Sequence, residues 1–595
     1  MHLVEKIIGG NPYYYLVEKA RRGRRVVTAR TVYIGNWQKL AELAQSNAAS
    51  GFPKSYRSQE VGASLAFADL VTELGLEELI DGICPVRAGA APIGRQLALS
   101  AIHRALAPRW ENGKSNLRGF YRSRALSDLL PFSEATLDHR RVGENLSALS
   151  PKVIEQIESA VVERVIKREG ISLDALAFDC TNFDSYAAAS TQSRLLKRGH
   201  GKSGKSLRAL GMGLLATEDG GVPLLTFAYP GNENDVTAFA RFLRALDRRR
   251  SSLRIPLAAT IAADGGNISK TILGRLEGKG KERERRHYIL RLPERHAGGL
   301  ARVASLDLPL LEGFTGKVRA HKYESAVYKV RRCVVDVYSP RMHRRQLPGL
   351  IRDRKKAQSD LNHLQRQLEL QRRGLRHLKP ITMTGLRRRV TKALARQHMK
   401  DLFAVQIERG DPAPKLSFQE DENVWKHLQS HVLGRTLLVT SQKDWSVEKI
   451  VRASRLQSHD ERFFRDIKDP AGASMLPLRH RVDSTLRGNA LVVVLGLMLA
   501  KVMMRRLQKA GVAIRSVRGM IQQLKRIRRA RMLLPDDASP ALRALATTTW
   551  VPSERTQRQN EILTALGLAG RPELGTTPFS TKTRSGRPKR QKKVE

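Results

Sequence analysis

The pattern of hydrophobic and polar positions begins with strand-like runs. Residues 13–18 and 25–34 are rich in β-branched and aromatic side chains, and the charged segment 19–24 between them is typical of a turn. The pattern therefore predicts a β-hairpin. We expect residues 1–60 to form a β-rich N-terminal segment.

Helical spacing of the apolar residues replaces this pattern over residues 61–170. The clearest helix has Ser150 as a candidate N-cap and Pro151 in its first turn, and Gly170 follows its last turn. We therefore expect a helical module in this region.

Short strands return after this module. Strand-like apolar runs follow one another at 173–180, 207–217, 222–229 and 255–263. Between the third and the fourth run, Asn234 or Asp235 can cap an amphipathic helix. The predicted order is therefore strand, strand, strand, helix, strand.

The remaining chain is longer and more polar. Strand-like runs at 287–292, 317–338 and 437–440 surround a polar helical stretch at 346–373. The narrow leucine stripe of this helix indicates a packing seam against the same chain rather than a dimer zipper. The expected segments are a β-rich 1–60, a helical 61–170, the first part of a core at 171–284, an insertion at 285–440, the rest of the core with closing helices at 441–535, and a basic, disordered tail at 536–595.

Charge changes this picture most. The 595 residues include 106 Lys and Arg against 57 Asp and Glu, a formal net charge of +49 that attracts phosphate backbones. Nucleic acid is the leading partner. An acidic membrane is the competing one, but the apolar run 490–500 is too short to span a bilayer and predicts a buried helix. We expect no membrane partner.

Three cysteines are scattered without metal-ligand spacing, which argues against zinc and fits a reducing cytoplasm, as does the absence of a signal-like N-terminus. Cys180 is either a packed thiol or a nucleophile, and the lack of a neighbouring histidine motif favours the packed thiol.

Three acidic residues stand where a catalytic carboxylate could be presented. Asp179 and Asp264 each follow an apolar run, and Glu461 opens a segment ending at Lys468. Alone, each has an ordinary explanation, as a strand end or a solvated helix face. Adjacent ionised carboxylates repel, however, and a divalent cation relieves that repulsion. At helical spacing, Glu461, Arg465 and Lys468 share one face, which would present a metal ligand and two phosphate-binding cations.

Taken together and in order, these motifs resemble the DDE transposases of bacterial insertion sequences, in the branch with a β-rich insertion before the final glutamate. The motifs are Phe178-Asp-Cys-Thr181, Arg198-Gly-His-Gly-Lys202, Gly220-Gly-Val-Pro223, Pro230-Gly-Asn-Glu-Asn-Asp235, Ala263-Asp-Gly-Gly-Asn267 and Glu461-Arg-Phe-Phe-Arg-Asp-Ile-Lys468. The last is similar to the family's glutamate, six residues, lysine signature.

The resemblance implies an α/β fold with an RNase H-like (retroviral integrase-type) core interrupted by a large mixed β/α insertion. It implies that Asp179, Asp264 and Glu461 bind two Mg²⁺ ions, for which Mn²⁺ can substitute, and that Lys468 contacts DNA phosphate. The implied activity is a polynucleotidyl transferase and endonuclease that binds terminal inverted repeats, cleaves double-stranded DNA and transfers the ends to a target. Two ends must be held together, so we expect a homodimer, acting in the bacterial cytoplasm at the nucleoid.

One departure from the family pattern concerns the residues before the glutamate. Where the family often has Tyr and Arg, this chain has Ser454 and Gln457, with Arg455 nearby. This puts a hairpin route of excision in doubt and affects metal ligation less. Nearby acids that compete for the site roles are Asp184, Asp219, Asp235 and Asp460, of which Asp219 has a turn role and Asp235 a cap role available.

Further DNA contacts are expected from basic segments. His200 and Lys202 lie in a glycine-rich loop, where His200 could equally satisfy a loop hydrogen bond. Arg587 lies in an AT-hook-like Gly-Arg-Pro sequence that suits a narrow minor groove, although a nonspecific charge run is the simpler interpretation. We expect the helical module to recognise the element ends.

Two alternatives remain open on the sequence. A catalytically decayed or domesticated DNA-binding protein would keep affinity for DNA and lose cleavage. A plain RNase H-like nuclease would cut without joining ends.

Overall fold

The structure is a computed structural model. It describes residues 2–8, 11–22, 25–36, 55–84, 92–108, 111–188, 190–199, 206–278, 285–293, 303–374, 380–469, 474–533 and 551–574. The described residues cluster into two compact units. The first comprises Met1–Asp81, Val86–Gly143 and Met503–Glu595, and the second Gly82–Pro85 and Glu144–Val502.

Strands occur in both units. They are β1 His2–Ile8, β2 Asn11–Arg22, β3 Arg25–Asn36, β4 Ser55–Glu60, β5 Ala175–Ser185, β6 Lys197–Arg198, β7 Arg208–Thr217, β8 Pro223–Pro230, β9 Thr260–Ala263, β10 His287–Arg291, β11 Arg319–Val327, β12 Val330–Tyr338, β13 Phe403–Glu408, β14 Lys415–Glu420, β15 Arg435–Thr440, β16 Arg528–Leu533 and β17 Val551–Pro552.

Helices are named in the same way. They are α1 Gly62–Glu73, α2 Leu76–Ile83, α3 Ile93–Leu106, α4 Leu117–Arg122, α5 Leu126–Leu129, α6 His139–Ala148, α7 Pro151–Glu169, α8 Asp235–Arg249, α9 Lys270–Leu276, α10 Pro340–Arg372, α11 Met383–Ala393, α12 Met399–Leu402, α13 Glu422–His427, α14 Val447–Ser454, α15 Gln457–Asp466, α16 Asp483–Lys509, α17 Val517–Lys525 and α18 Gln557–Ala565. Single 3₁₀ turns lie at Lys114–Asn116, Glu134–Leu137, Gly265–Asn267 and Pro572–Leu574, and a π-helical turn lies at Leu428–Val432.

The first unit contains strands from the early and the late part of the described chain, β1 to β4 and β16 to β17. Antiparallel β2 and β3 confirm the predicted hairpin, and β1 pairs with β2 on its other side. In a second sheet, β16 is the central strand and pairs with β4 on one side and with β17 on the other. Gly62 at the start of α1 permits close packing on α17, because a Cβ at this position would lie 2.4 Å from the Leu524 carbonyl oxygen.

The second unit is built on a mixed nine-stranded sheet. Its strand order is β11-β12-β15-β10-β9-β5-β7-β6, and β8 pairs with β7. The central strands β5, β9 and β10 run parallel, whereas β7 and β8 are antiparallel to their neighbours. The predicted order of three strands, a helix and a strand is confirmed, with Asn234 as the N-cap of α8.

Local signals at helix ends are confirmed as well. Ser150 accepts the Val153 amide at the start of α7, and Gly170 adopts a left-handed conformation, φ 57°, after its end. In the second unit, α16 buries the apolar run from Leu491 to Ala500, as its composition predicts. Among the described residues, no helix is both long and apolar enough to cross a membrane.

The segment between Asp264 and Glu461 is divided between two structures. Strands β10, β11, β12 and β15 continue the main sheet. Residues between β12 and β15 form a hydrophobic cluster of their own, in which Leu361, Leu364 and Leu368 of α10 are buried. The leucine stripe therefore packs against the same chain, as predicted.

Candidate active site

Two acidic residues lie side by side where parallel strands β5 and β9 separate. Their register pairs Ala175 with Thr260 and Phe178 with Ala263, so the next residues along the two strands are Asp179 and Asp264. Neighbouring strands are about 4.8 Å apart, which brings both backbones to one place on the sheet. We call this pair the carboxylate edge.

Asp179 lies within β5, where it is half-buried. The Cys180 amide donates a 2.7 Å hydrogen bond to its Oδ1. Strand alternation puts Thr181 and Phe183 on the same face of the sheet as Asp179. Cys180 is buried and is not part of a disulfide, in agreement with the packed role expected of it.

Asp264 follows β9 and caps the 3₁₀ turn after it. The Gly265 amide donates to its Oδ1 at 2.7 Å, and the Arg291 guanidinium is 3.8 Å from the same oxygen. The side chain is 54% exposed. Gly265 lets the chain turn against β10, since a Cβ there would lie 3.1 Å from the Arg291 carbonyl oxygen. The carboxylate is thus held by its own turn and open to solvent.

Helix α15 carries Glu461 and packs against β5. Its apolar residues Phe463 and Phe464 are buried, as is Ile467 after its end. Lys468 donates a hydrogen bond to Thr181 Oγ1, and its Nζ is 5.2 Å from the centre of the Phe183 ring. The segment that begins at Glu461 is therefore anchored on the β5 face that bears Asp179. The side chain of Glu461 lies outside the described set.

Asp235 is an acidic residue whose place the sequence did not reveal. Asn234 caps α8 by accepting the Thr237 amide at 2.8 Å, so the cap role weighed for Asp235 belongs to its neighbour. A Cβ on Gly266 would lie 3.0 Å from Asp235 Oδ2, which puts this carboxylate beside the turn that Asp264 caps. The signal in the sequence was the paired Asn-Asp at the helix start.

The pKa of Tyr229 shows that its side chain lies near the same acidic residues. Burial raises the pKa of its phenol, and the nearby thiol of Cys180 and the carboxylates of Asp235 and Asp179 raise it further. Each of these groups opposes a phenolate negative charge. The Tyr229 hydroxyl therefore stays protonated, and Asp179 and Asp235 lie within electrostatic range of one side chain.

A cleft of about 880 Å³ opens on Asp264. Its walls include Gly266 and Arg291 on the sheet side, and His398 and His431 from the segment between β12 and β15. Burial lowers the pKa of His431, and the neighbouring His427 lowers it further. The exposed carboxylate of Asp264 thus faces this cleft.

The other residues singled out in the sequence have varied positions. Arg465 is exposed on α15, whereas Lys468 is half-buried against β5. Ser454 and Arg455 line a second cleft, beside Arg291. Gln457 and Asp460 belong to α15, and their side chains lie outside the described set, as do His200, Lys202 and Arg587 as whole residues.

Comparison with known proteins decides the family. A model of the transposase DDE domain matches residues 167–496, which is more than half of the chain. The chain belongs to the DDE transposase family. No curated protein matches it. A solved structure described as a piggyBac transposase synaptic complex with hairpin DNA aligns over 78% of this chain and 79% of that chain, with 8% identity and a TM-score of 0.32.

Family membership makes the transposase a polynucleotidyl transferase and endonuclease of DNA transposition, and enzymes of this family generally use divalent metal ions. The donor set at the carboxylate edge fits such ions, because carboxylate oxygens are the ligands that Mg²⁺ prefers and Asp264 is open to solvent. Among the described side chains, which exclude that of Glu461, no three acidic, histidine or cysteine groups form a metal cluster. Among the described side chains, the carboxylate edge thus supplies two acids.

Proposed function

We propose that the transposase cleaves and joins DNA at the ends of an insertion sequence, and that Asp179, Asp264 and Glu461 are its catalytic carboxylates. The observation that carries the proposal is the parallel register of β5 and β9, in which Phe178 pairs with Ala263. This register sets two acids next to each other on adjacent strands. The packing of α15 on β5 supports Glu461 as the third.

The core is proposed to be RNase H-like. Support comes from the strand order β8-β7-β5-β9-β10. In this order β5, β7 and β8 form an antiparallel meander, and β9 and β10 run parallel to β5 on its other side. In this scheme the insertion is the part of 285–440 between β12 and β15 that builds its own hydrophobic cluster, and the helical module over 61–170 binds the element ends.

Two Mg²⁺ ions, or Mn²⁺ in their place, are proposed to sit between these carboxylates, where they would supply activation of the attacking oxygen and stabilisation of the leaving one. The protein's own part is to hold the acids in fixed positions. The Cys180 and Gly265 amides do this by donating to Asp179 and Asp264.

DNA contacts are proposed at Arg465 and Lys468, on and just after the helix that carries Glu461, and at His200, Lys202 and Arg587. Lys468 donates to Thr181, so in this proposal it holds α15 on the sheet and also contacts a phosphate. Terminal inverted repeats are the proposed recognition sequence. A homodimer would hold the two ends together.

The test uses a duplex with the terminal repeat read from the DNA that borders the reading frame. Asp179→Asn should abolish Mg²⁺-dependent cleavage and strand transfer while the duplex still binds, because an amide keeps the shape and loses the charge. Asp444→Asn is the matched control, since Asp444 is an exposed acid in a loop of the same unit. Cleavage at the wild-type rate by Asp179→Asn would refute the assignment.

A further inference from the structure

A cleft of about 510 Å³ beside the carboxylate edge is lined by arginine. Four guanidinium groups line it, from Arg291, Arg341, Arg344 and Arg455, and we call it the arginine cleft. The hydroxyl-bearing residues along it are Thr315, Ser339, Thr436 and Ser454. None of the described residues that line it is Asp or Glu. Such a lining is suited to an anion.

Different elements converge to build this cleft. Arg291 ends β10, Arg341 and Arg344 lie in the first turns of α10, and Arg455 follows the end of α14. The positive end of the α10 dipole adds to their charge. Ser339 caps the helix by accepting the Met342 amide. The four arginines thus belong to three separate elements fixed by the sheet.

These arginines differ from the other arginines near the sheet. Arg249 and Arg332 are buried and tied to Glu158 and Glu277, at 2.5 and 2.6 Å. In contrast, Arg341, Arg344 and Arg455 form no ion pair with any described carboxylate, and all three are exposed. Arg455 lies over the Phe314 ring at 4.8 Å, and partial burial lowers its pKa. Three like charges that lack carboxylate partners repel each other, and a polyanion removes that repulsion.

Arg291 connects this cleft to the reaction centre. Its guanidinium is 3.8 Å from Asp264, and the same side chain lines both this cleft and the larger one that opens on Asp264. A strand whose phosphate lay at the carboxylate edge would therefore have its next phosphates within reach of the arginine cleft. The floor, which includes Ile289, Val318 and Leu438, is apolar and suits sugar rings.

We propose that the arginine cleft binds the phosphodiester backbone of the DNA strand next to the phosphate that is cut. This inference rests on the proposed function and names where its substrate lies. Arginine suits this task because its planar fork can bind a phosphate in a bidentate manner. The contacts are to backbone, so they position the strand and read no sequence.

The first experiment measures the salt dependence of binding by fluorescence anisotropy, without divalent ions, on a labelled terminal-repeat duplex. The double variant Arg341→Ala, Arg344→Ala should lower the slope of log affinity against log salt by about 1.8, since each phosphate contact contributes about 0.9. The matched control is Arg387→Ala, Arg388→Ala, which removes two exposed arginines from α11. Equal slopes for the two double variants, or an unchanged slope in the first, would overturn the proposal.

A second experiment needs no variant. Arginines of the wild-type protein are modified with a dicarbonyl reagent, with and without the duplex, and the products are quantified by mass spectrometry. Arg341, Arg344 and Arg455 should be protected several-fold more than Arg387 and Arg388. Protection by inorganic phosphate at equal ionic strength but not by the duplex would overturn the assignment to DNA.

The two readouts separate this inference from the proposed function. Binding without divalent ions does not depend on the catalytic carboxylates, whereas cleavage by Asp179→Asn does. If Asp179→Asn cleaves normally, the proposed function fails whatever the salt slope. If it is inactive and the slope of the Arg341 and Arg344 variant is unchanged, only the arginine cleft is wrong.

Discussion

Acidic residues on the two halves of the main sheet have opposite surroundings. Asp336 of β12 is buried, with a side chain 3% exposed, and its partner Arg435 is 4% exposed. Burial raises the pKa of Asp336, and Arg435 opposes that rise. Asp264 is 54% exposed, and its cationic neighbour is 3.8 Å away. The comparison teaches that the enclosed acid maintains the fold, whereas the open one remains available to a ligand.

The largest expected effect comes from changing the exposed acid, Asp264. Asp264→Asn should reduce Mg²⁺-dependent cleavage by roughly a thousandfold or more, because loss of a metal ligand removes several kcal/mol of transition-state stabilisation. The melting temperature should stay the same, since the side chain is exposed. A cleavage assay paired with thermal unfolding checks both points, and Asp444→Asn should change neither.

The next largest effect comes from changing the buried acid, Asp336. Asp336→Asn leaves the buried Arg435 charge without its counter-ion, which should cost roughly 3–5 kcal/mol of unfolding free energy. Cleavage per folded molecule should be retained. Thermal unfolding is the measurement, and the control is Glu324→Gln, which removes an exposed pair with Arg331 and should leave stability nearly unchanged. Equal melting temperatures for Asp336→Asn and Glu324→Gln would contradict this difference between buried and exposed acids.

A buried group in the first unit extends the comparison to pH. His103 Nε2 is 2.9 Å from the Glu111 carbonyl oxygen, and burial lowers the pKa of the imidazole from 6.5 to about 3. The unfolded chain therefore takes up this proton first as the pH falls. His103 should reduce stability by up to about 1.4 kcal/mol per pH unit below pH 6.5, until the folded pKa is reached.

Denaturant unfolding at several pH values tests this, with His103→Gln as the comparison. The variant should lose this part of the acid sensitivity, because glutamine cannot take up the proton. The same pH dependence in both proteins would show that the imidazole is not enclosed as described.

The smallest effect concerns the anchor of α15. Thr181→Val removes the acceptor that Lys468 uses on β5 and should cost about 1 kcal/mol. We expect cleavage to fall by less than tenfold and DNA affinity to stay unchanged. Separate determination of kcat and KM checks this. A rise in KM larger than the fall in kcat would indicate that Lys468 mainly contacts the substrate.

The parts of the fold that local sequence controls could be predicted. Helix α7 was predicted from its Ser150 cap and Gly170 stop, and the hairpin of β2 and β3 from two strand-like runs around a charged turn. These features depend on residues a few positions apart. The apolar runs before Asp179 and Asp264 were found in the same way.

The parts that depend on distant contacts could not be predicted. Strand pairing across the insertion, such as β10 with β15, is not written in any local pattern, so the extent of the main sheet was not foreseen. Asp235 looked like a helix cap because Asn234 and Asp235 are equivalent in sequence, and only the fold distinguishes them. The arginine cleft likewise collects residues from three separate elements.

The central claim is that Asp179, Asp264 and Glu461 hold divalent ions together. A crystal structure of the protein with Mn²⁺, with anomalous scattering used to locate the metal, tests it most directly. We predict Mn²⁺ between these three side chains at about 2.1 Å from carboxylate oxygens, and loss of that signal in Asp264→Asn. Mn²⁺ bound elsewhere in a cleavage-competent crystal, with Glu461 remote from both aspartates, would contradict the account.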